Sequence, residues 1–126
     1  MDNALKAKRL LVLIVEDDRL LRMDAHDMIE EAGFDVLEAG DADEAIAILE
    51  ARLDVRAIFT DIDMPTGSIN GLQLAHDVHD RWPLMVIIAT SGHSAIPESD
   101  LPAGGRFFAK PYSFRQVTDA IRHLAA

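Results

Sequence analysis

The chain has 126 residues, enough for one hydrophobic core, and a composition of 49% hydrophobic and 27% charged residues that belongs to a soluble globular domain. Its 12 Lys and Arg against 22 Asp and Glu leave a net charge of -10, which repels phosphate backbones and anionic lipid and argues against nucleic-acid or membrane partners. Cysteine is absent, so disulfides and thiolate metal sites are excluded, in keeping with a cytoplasmic location.

Residues 1–9 read as a short leader to one domain that takes up the rest of the chain. Lys6, Lys8 and Arg9 precede an apolar run, as in a signal peptide, but the run stops at Glu16 and no small-residue cleavage site follows. Leu10–Val15 is apolar at every position, the pattern of a strand covered on both faces in a parallel sheet. Asp18 is placed to cap a helix starting near Arg19, whose inner face carries Leu21, Ala25, Met28 and Ala32 and which Gly33 stops. Asp35–Ala39 is a weaker strand. Asp41 then caps a second helix bearing Ala42, Ala45, Ile46 and Leu49 on one face. Ala57–Thr60 is again a buried strand, followed by a helix marked by Leu72, Ala75 and Val78 and ended by Pro83. Met85–Ala89 is the next apolar strand. Between Gly92 and Gly105, Pro97, Pro102 and Gly104 oppose a full helix, so a loop with at most one short helical turn is expected. Phe107–Ala109 is a short strand, and Ser113 with Gln116 opens a final helix carrying Phe114, Val117, Ile121 and Leu124.

Strands alternating with helices imply right-handed crossovers onto a parallel sheet. The expected fold is α/β, a flavodoxin-like doubly wound sheet of five strands in the order 2-1-3-4-5, with a weakened fourth helix. Ligands in such folds bind beyond the carboxyl ends of the strands. Those ends carry Glu16-Asp17-Asp18, Thr60-Asp61-Ile62-Asp63-Met64-Pro65, Thr90-Ser91-Gly92 and Lys110-Pro111.

Converging strand ends would crowd Glu16, Asp17 and Asp61, and like charges at close range need a cation. A hard divalent ion with oxygen ligands fits, and Mg2+ suits a site of few carboxylates and several waters. Lys110 adds positive charge from the opposite side. A central carboxylate in such a setting can attack a phosphoryl group, with the metal and Lys110 neutralising the transferring oxygens and the Thr90 hydroxyl bonding the product.

The set Glu16-Asp17, Asp61 with Met64-Pro65, Thr90 and Lys110-Pro111 resembles the receiver domains of bacterial two-component response regulators, over about Leu10 to Leu124. The resemblance implies that Asp61 is the phosphoacceptor. It also implies that Glu16, Asp17, Asp61 and the backbone carbonyl of Asp63 hold the metal. Thr90 would be the switch hydroxyl with Ser91 beside it, Phe107 the switch aromatic, and Pro111 the candidate for a cis turn after Lys110. The implied partners are a histidine kinase or histidine phosphotransfer protein as donor and an unidentified output partner. The protein would modify only itself rather than act as an enzyme. The resemblance is looser at two places. Thr66-Gly67-Ser68-Ile69-Asn70 make five residues between Pro65 and Gly71 where many receivers have three, and the stretch from Thr90 to Lys110 is short and rich in Pro and Gly.

Asp61-Ile62-Asp63 also resembles the nucleophile motif of haloacid-dehalogenase-like phosphatases. Here, however, the metal acids precede the nucleophile, and no comparable acidic motif follows Lys110. Among the histidines, His76 and His79 stand three apart without further zinc ligands nearby. His93 lies in the loop past Thr90, and His26 and His123 have no evident partner in the sequence.

Overall fold

The computed structural model describes residues 9–64, 70–93 and 95–125. Residues 1–8, Pro65 and residues 66–69 lie outside them. In chain order the elements are β1 (Leu11–Val15), α1 (Arg19–Glu31), β2 (Asp35–Ala39), α2 (Ala42–Ala51), β3 (Val55–Asp61), α3 (Gly71–Arg81), β4 (Val86–Ser91), β5 (Arg106–Ala109) and α4 (Phe114–Leu124). All four strand pairings are parallel and the order is β2-β1-β3-β4-β5, the doubly wound arrangement expected from the sequence.

Every residue of β1 is buried because the strand sits inside the sheet with helices on both sides. Successive side chains point to opposite faces. Leu11, Leu13 and Val15 therefore join the core built with Ala45 and Leu49 of α2 and Leu74, Ala75 and Val78 of α3. Val12 and Ile14 join the core built with Ala25, Met28 and Ile29 of α1 and Val117 and Ile121 of α4. The apolar runs are thus continuous because each of two cores takes every second residue.

Local chemistry sets the helix ends. Asp18 accepts from Leu20 N–H at 2.9 Å and Leu21 N–H at 3.1 Å, Asp41 from Glu44 N–H at 2.8 Å, and Ser113 from Gln116 N–H at 3.3 Å, each relieving an unpaired amide of the first turn. Asn70 caps α3 in the same way, through Gln73 N–H at 2.9 Å. Gly33, with φ of 104°, takes the left-handed conformation that stops α1. Ala25 and Met28 of the expected inner face of α1 are buried, Ile29 joins them fully buried, and Leu21 remains 42% exposed over a cleft.

The crossover from β4 to β5 has only a 3-10 turn, Glu98–Asp100, where the fold has room for a helix. Leu101 and Pro102 of this segment are buried, and polar contacts tie down its neighbours. Glu98 Oε2 accepts from Phe107 N–H at 2.9 Å and Arg106 Nε at 3.1 Å, and His76 Nε2 of α3 donates to the Asp100 carbonyl at 2.8 Å.

Gly71 fixes where α3 begins. A Cβ on it would stand 1.9 Å from the carbonyl oxygen of Asp61 and 2.8 Å from Ile62 Cα, both backbone atoms with no freedom to retreat. The first turn of α3 is therefore pressed against the end of β3, and Gly71 N–H donates to the Ile62 carbonyl at 3.2 Å. Gly71→Ala is expected to lower unfolding stability by about 2 kcal/mol or more, as an overpacked contact with rigid backbone does. Urea denaturation checks this, and an unchanged midpoint would show that α3 can shift away without penalty.

Candidate functional site

The parallel ladders run past the strands and align their carboxyl ends. Glu16 N–H donates to the Ala39 carbonyl at 3.1 Å, Ile62 N–H to the Thr90 carbonyl at 2.8 Å, and Lys110 N–H to the Ser91 carbonyl at 2.9 Å. Asp61 pairs directly with Thr90 across β3 and β4. Residues far apart in sequence are thereby gathered at one end of the sheet, as expected for Glu16, Asp17, Asp61, Thr90 and Lys110.

Carboxylate oxygens of Glu16, Asp17 and Asp61 lie within 4.8 Å of one another, the one such ligand group among the described residues. Glu16 and Asp61 are each only 5% exposed. Each of these buried carboxylates has its two oxygens committed differently. One oxygen of Asp61 accepts from Asp63 N–H at 2.9 Å, and the other faces Lys110 Nζ at 3.0 Å. One oxygen of Glu16 accepts from Asp18 N–H at 3.1 Å, and the other faces the same Nζ at 3.2 Å.

Three carboxylates thus confront one ammonium, and the imbalance registers on Glu16. Burial, and then the charge of Asp61, push its carboxyl up to about 7 against the opposing pull of the Asp18 N–H and Lys110. Burial alone would lower the Lys110 ammonium, but its hydrogen bond to Asp61 and the charges of Glu16 and Asp61 outweigh that and hold it above its ordinary value. An all-oxygen donor set carrying excess negative charge in a partly enclosed site fits a hard divalent cation. Glu16, Asp17 and Asp61 are the side chains that would hold it.

Thr90 lies beside Asp61, and its buried hydroxyl has no hydrogen-bond partner among the described residues. A buried hydroxyl left so is costly unless an incoming group completes it. It borders a cleft of about 450 Å³ whose polar end is Glu16, Asp61 and Lys110 and whose apolar wall includes Leu21, Phe59, Tyr112 and Phe114. A second cleft, of about 280 Å³, opens on the acidic side, where Asp17, Asp63 and His93 join Asp61 and Lys110. The central carboxylate is therefore reachable from both sides.

The remaining expected residues fall at different distances from this centre. The Ser91 hydroxyl donates to Asp63 Oδ2 at 2.5 Å and accepts from His93 N–H at 3.1 Å, so it braces the acid two residues beyond Asp61. The Lys110–Pro111 peptide is cis. Phe107 lines neither cleft; it is half-buried on β5, with its N–H held by Glu98. Of the histidines, His76 serves the crossover, and His26 does have partners: Nδ1 lies 2.6 Å from Glu38 Oε2 and Nε2 3.6 Å from Glu30 Oε2. One wall residue escaped notice in the sequence. Tyr112 packs edge-on against Phe59 with ring centroids 5.6 Å apart, and burial raises its phenol above the ordinary value. Its place two residues after Lys110 was the available signal.

The sequence model described as response regulator receiver domain matches residues 12–122. Over 113 residues the chain is 30% identical to the transcriptional regulatory protein PdtaR of Mycobacterium tuberculosis, covering 87% of this chain and 54% of that protein. Over 115 residues it is 30% identical to the aerobic respiration control protein ArcA of Escherichia coli, covering 90% of this chain and 47% of that one. The chain thus spans about half the length of these curated relatives. Among solved structures, a response regulator receiver protein from Sinorhizobium medicae superposes with a TM-score of 0.85 at 24% identity, covering 94% of this chain and 95% of that one. A CheY-like receiver domain from Methanospirillum hungatei gives 0.81 at 23%, with 94% of each chain covered. These two likenesses speak to the fold.

The Glu16 shift has a measurable sign. Without metal, the folded protein retains a proton on Glu16 between the ordinary 4.5 and about 7 that the unfolded chain has released, so this group's contribution to stability falls as pH rises through that window. Urea midpoints in chelator are expected to drop between about pH 5 and about pH 8, and Glu16→Gln to flatten the drop. A drop of equal size in Glu16→Gln would assign it to other groups.

Proposed function

The chain belongs to the response regulator receiver domain family of two-component systems, and from that premise we propose that Asp61 is its phosphoacceptor. The donor is a phosphohistidine on a histidine kinase or histidine phosphotransfer protein. An Asp61 carboxylate oxygen attacks phosphorus in line as the P–N bond to the donor imidazole breaks. The electron pair stays on the ring nitrogen, which takes a proton from solvent, and Asp61 is left as an acyl phosphate.

The carrying observation is the pairing of a buried, positioned Asp61 carboxylate with a cation on one side and an unpartnered hydroxyl on the other. The Asp63 N–H fixes one Asp61 oxygen and so orients the other for attack. Lys110, already bonded to both buried acids, follows the charge onto the phosphoryl oxygens. The Thr90 hydroxyl donates to one of those oxygens and gains a partner that none of the described residues supplies. Mg2+, held by Glu16, Asp17, Asp61 and the Asp63 carbonyl, would supply further charge neutralisation there.

Signalling follows from the same contacts. Drawing Thr90 and Lys110 toward a phosphoryl group pulls on the ends of β4 and β5. Ser91 and Phe107 are the neighbouring residues whose repacking changes the surface offered to an output partner. The reaction modifies the protein itself and turns over no separate substrate, and the setting is cytoplasmic. The haloacid-dehalogenase-like alternative finds no support: the matching family model and the relatives are receivers and response regulators.

Incubation with acetyl phosphate and Mg2+ is expected to add one phosphoryl group by intact mass, and Asp61→Asn to abolish the gain. A gain that survives in Asp61→Asn, or none in folded, metal-bound wild type, would overturn the assignment. Lys110→Ala is expected to retain Mg2+ binding yet lose the difference in partner affinity between the phosphorylated and unphosphorylated forms. An affinity difference equal to that of wild type would remove Lys110 from the coupling.

A further inference from the structure

The Glu16–Asp17 turn carries two of the three acids, and repulsion among them and Asp61 drives it outward. Several bonds oppose this. Glu16 N–H is anchored to Ala39, Asp18 N–H is held by the Glu16 carboxylate, and Asp18 caps α1. One further bond comes from outside the turn. Arg22, one helical turn into α1, reaches back so that Nη1 donates to the Glu16 carbonyl at 2.8 Å. Its Nε donates to Glu38 Oε1 of β2 at 3.0 Å, and the other Glu38 oxygen is engaged by His26. The Arg22 side chain is only 21% exposed. Gly40 packs beside it, with Nη1 3.4 Å from where a Cβ would stand, an ordinary contact distance.

We propose that Arg22 is a positioning residue for the divalent cation: braced on Glu38, its guanidinium fixes the Glu16–Asp17 peptide so that the Glu16, Asp17 and Asp61 carboxylates converge before the ion arrives. This rests on the reading of those acids as the metal site. Arg22 touches neither the ion nor the phosphoryl group. Its effect is to hold, ahead of binding, an arrangement that the acids' own charges resist, and the rigid planar fork that joins a carbonyl to a carboxylate is what lysine lacks. Partners that orient metal ligands from outside the ligand shell commonly change affinity by an order of magnitude or more.

The test is Mg2+ affinity by calorimetry, with Asp17→Asn as the control for binding at this site and melting in chelator as the control for folding. Arg22→Met is expected to weaken Mg2+ roughly ten-fold. Arg22→Lys, which keeps a donor for the carbonyl but not the fork, should fall between it and wild type, and Glu38→Gln, which loosens the far end, should weaken binding by a smaller factor. Wild-type affinity in folded Arg22→Met overturns the proposal and leaves the metal site standing. If Arg22→Met does not fold, unchanged affinity in both Arg22→Lys and Glu38→Gln overturns it instead. Wild-type protein that binds no Mg2+, or binds it undiminished in Asp17→Asn, overturns the metal site and this proposal together.

Discussion

The site is organised by one ammonium shared between two buried carboxylates. Lys110 follows β5 at one edge of the sheet, yet its Nζ bonds Asp61 at the end of β3 and Glu16 just past β1, spanning the width of β4 on the way. Without it, Glu16 and Asp61 would face each other almost without water, an arrangement whose cost grows as the local dielectric falls. The rest of the chain can be seen as what makes that reach possible. Ladders run beyond the regular strands to bring the ends level, two apolar cores clamp β1 and β3 in register, and Gly71 lets α3 start hard against Asp61. Glu16 still sits near 7, so the single ammonium leaves the acids short of neutral balance, which is the electrostatic opening for a divalent cation.

Most of this scaffold was legible in the sequence because it rests on periodicity and strand-end chemistry. A run such as Leu11–Val15 with no polar interruption has few resting places except a strand sealed on both faces, and in a parallel sheet the acids that follow such runs must meet. The weak helix before β5 was legible too, because Pro97 and Pro102 act locally. Other features depended on contacts with no local trace. Asn70 caps α3 through Gln73 N–H, and nothing in the sequence before it marked where the helix would start. The isolation of His26 in the sequence ended once β2 folded against α1 and brought up Glu38. Leu21 has the spacing of a core residue but faces a cleft, where it shares an apolar wall with Phe59, Tyr112 and Phe114. Phe107 was identified by its distance from Lys110 alone, and spacing says nothing of which side of β5 a ring occupies.

The bracing around the acids shows how backbone groups perform work that a residue-type search overlooks. Amides of Asp18 and Asp63 each hold one oxygen of a buried carboxylate, and both amides are fixed by turns that begin at the acids themselves. The sequence displays the acids but hides the donors, because every non-proline residue carries an N–H. Side chains that bond to backbone are equally inconspicuous: Ser91, which accepts from His93 N–H, and Arg22 would pass as an ordinary small residue and an ordinary surface charge until their partners are seen.

Glu98 has a consequence for how these molecules meet one another. β5 is an outer strand, and its unpaired rim is a natural template for a strand from another chain. By taking the Phe107 N–H into its carboxylate, Glu98 plugs one rung of that rim and sets a negative charge beside it. Any extended segment seeking to zip onto this border must first evict the carboxylate, so the clipped crossover doubles as a guard against sheet-to-sheet aggregation.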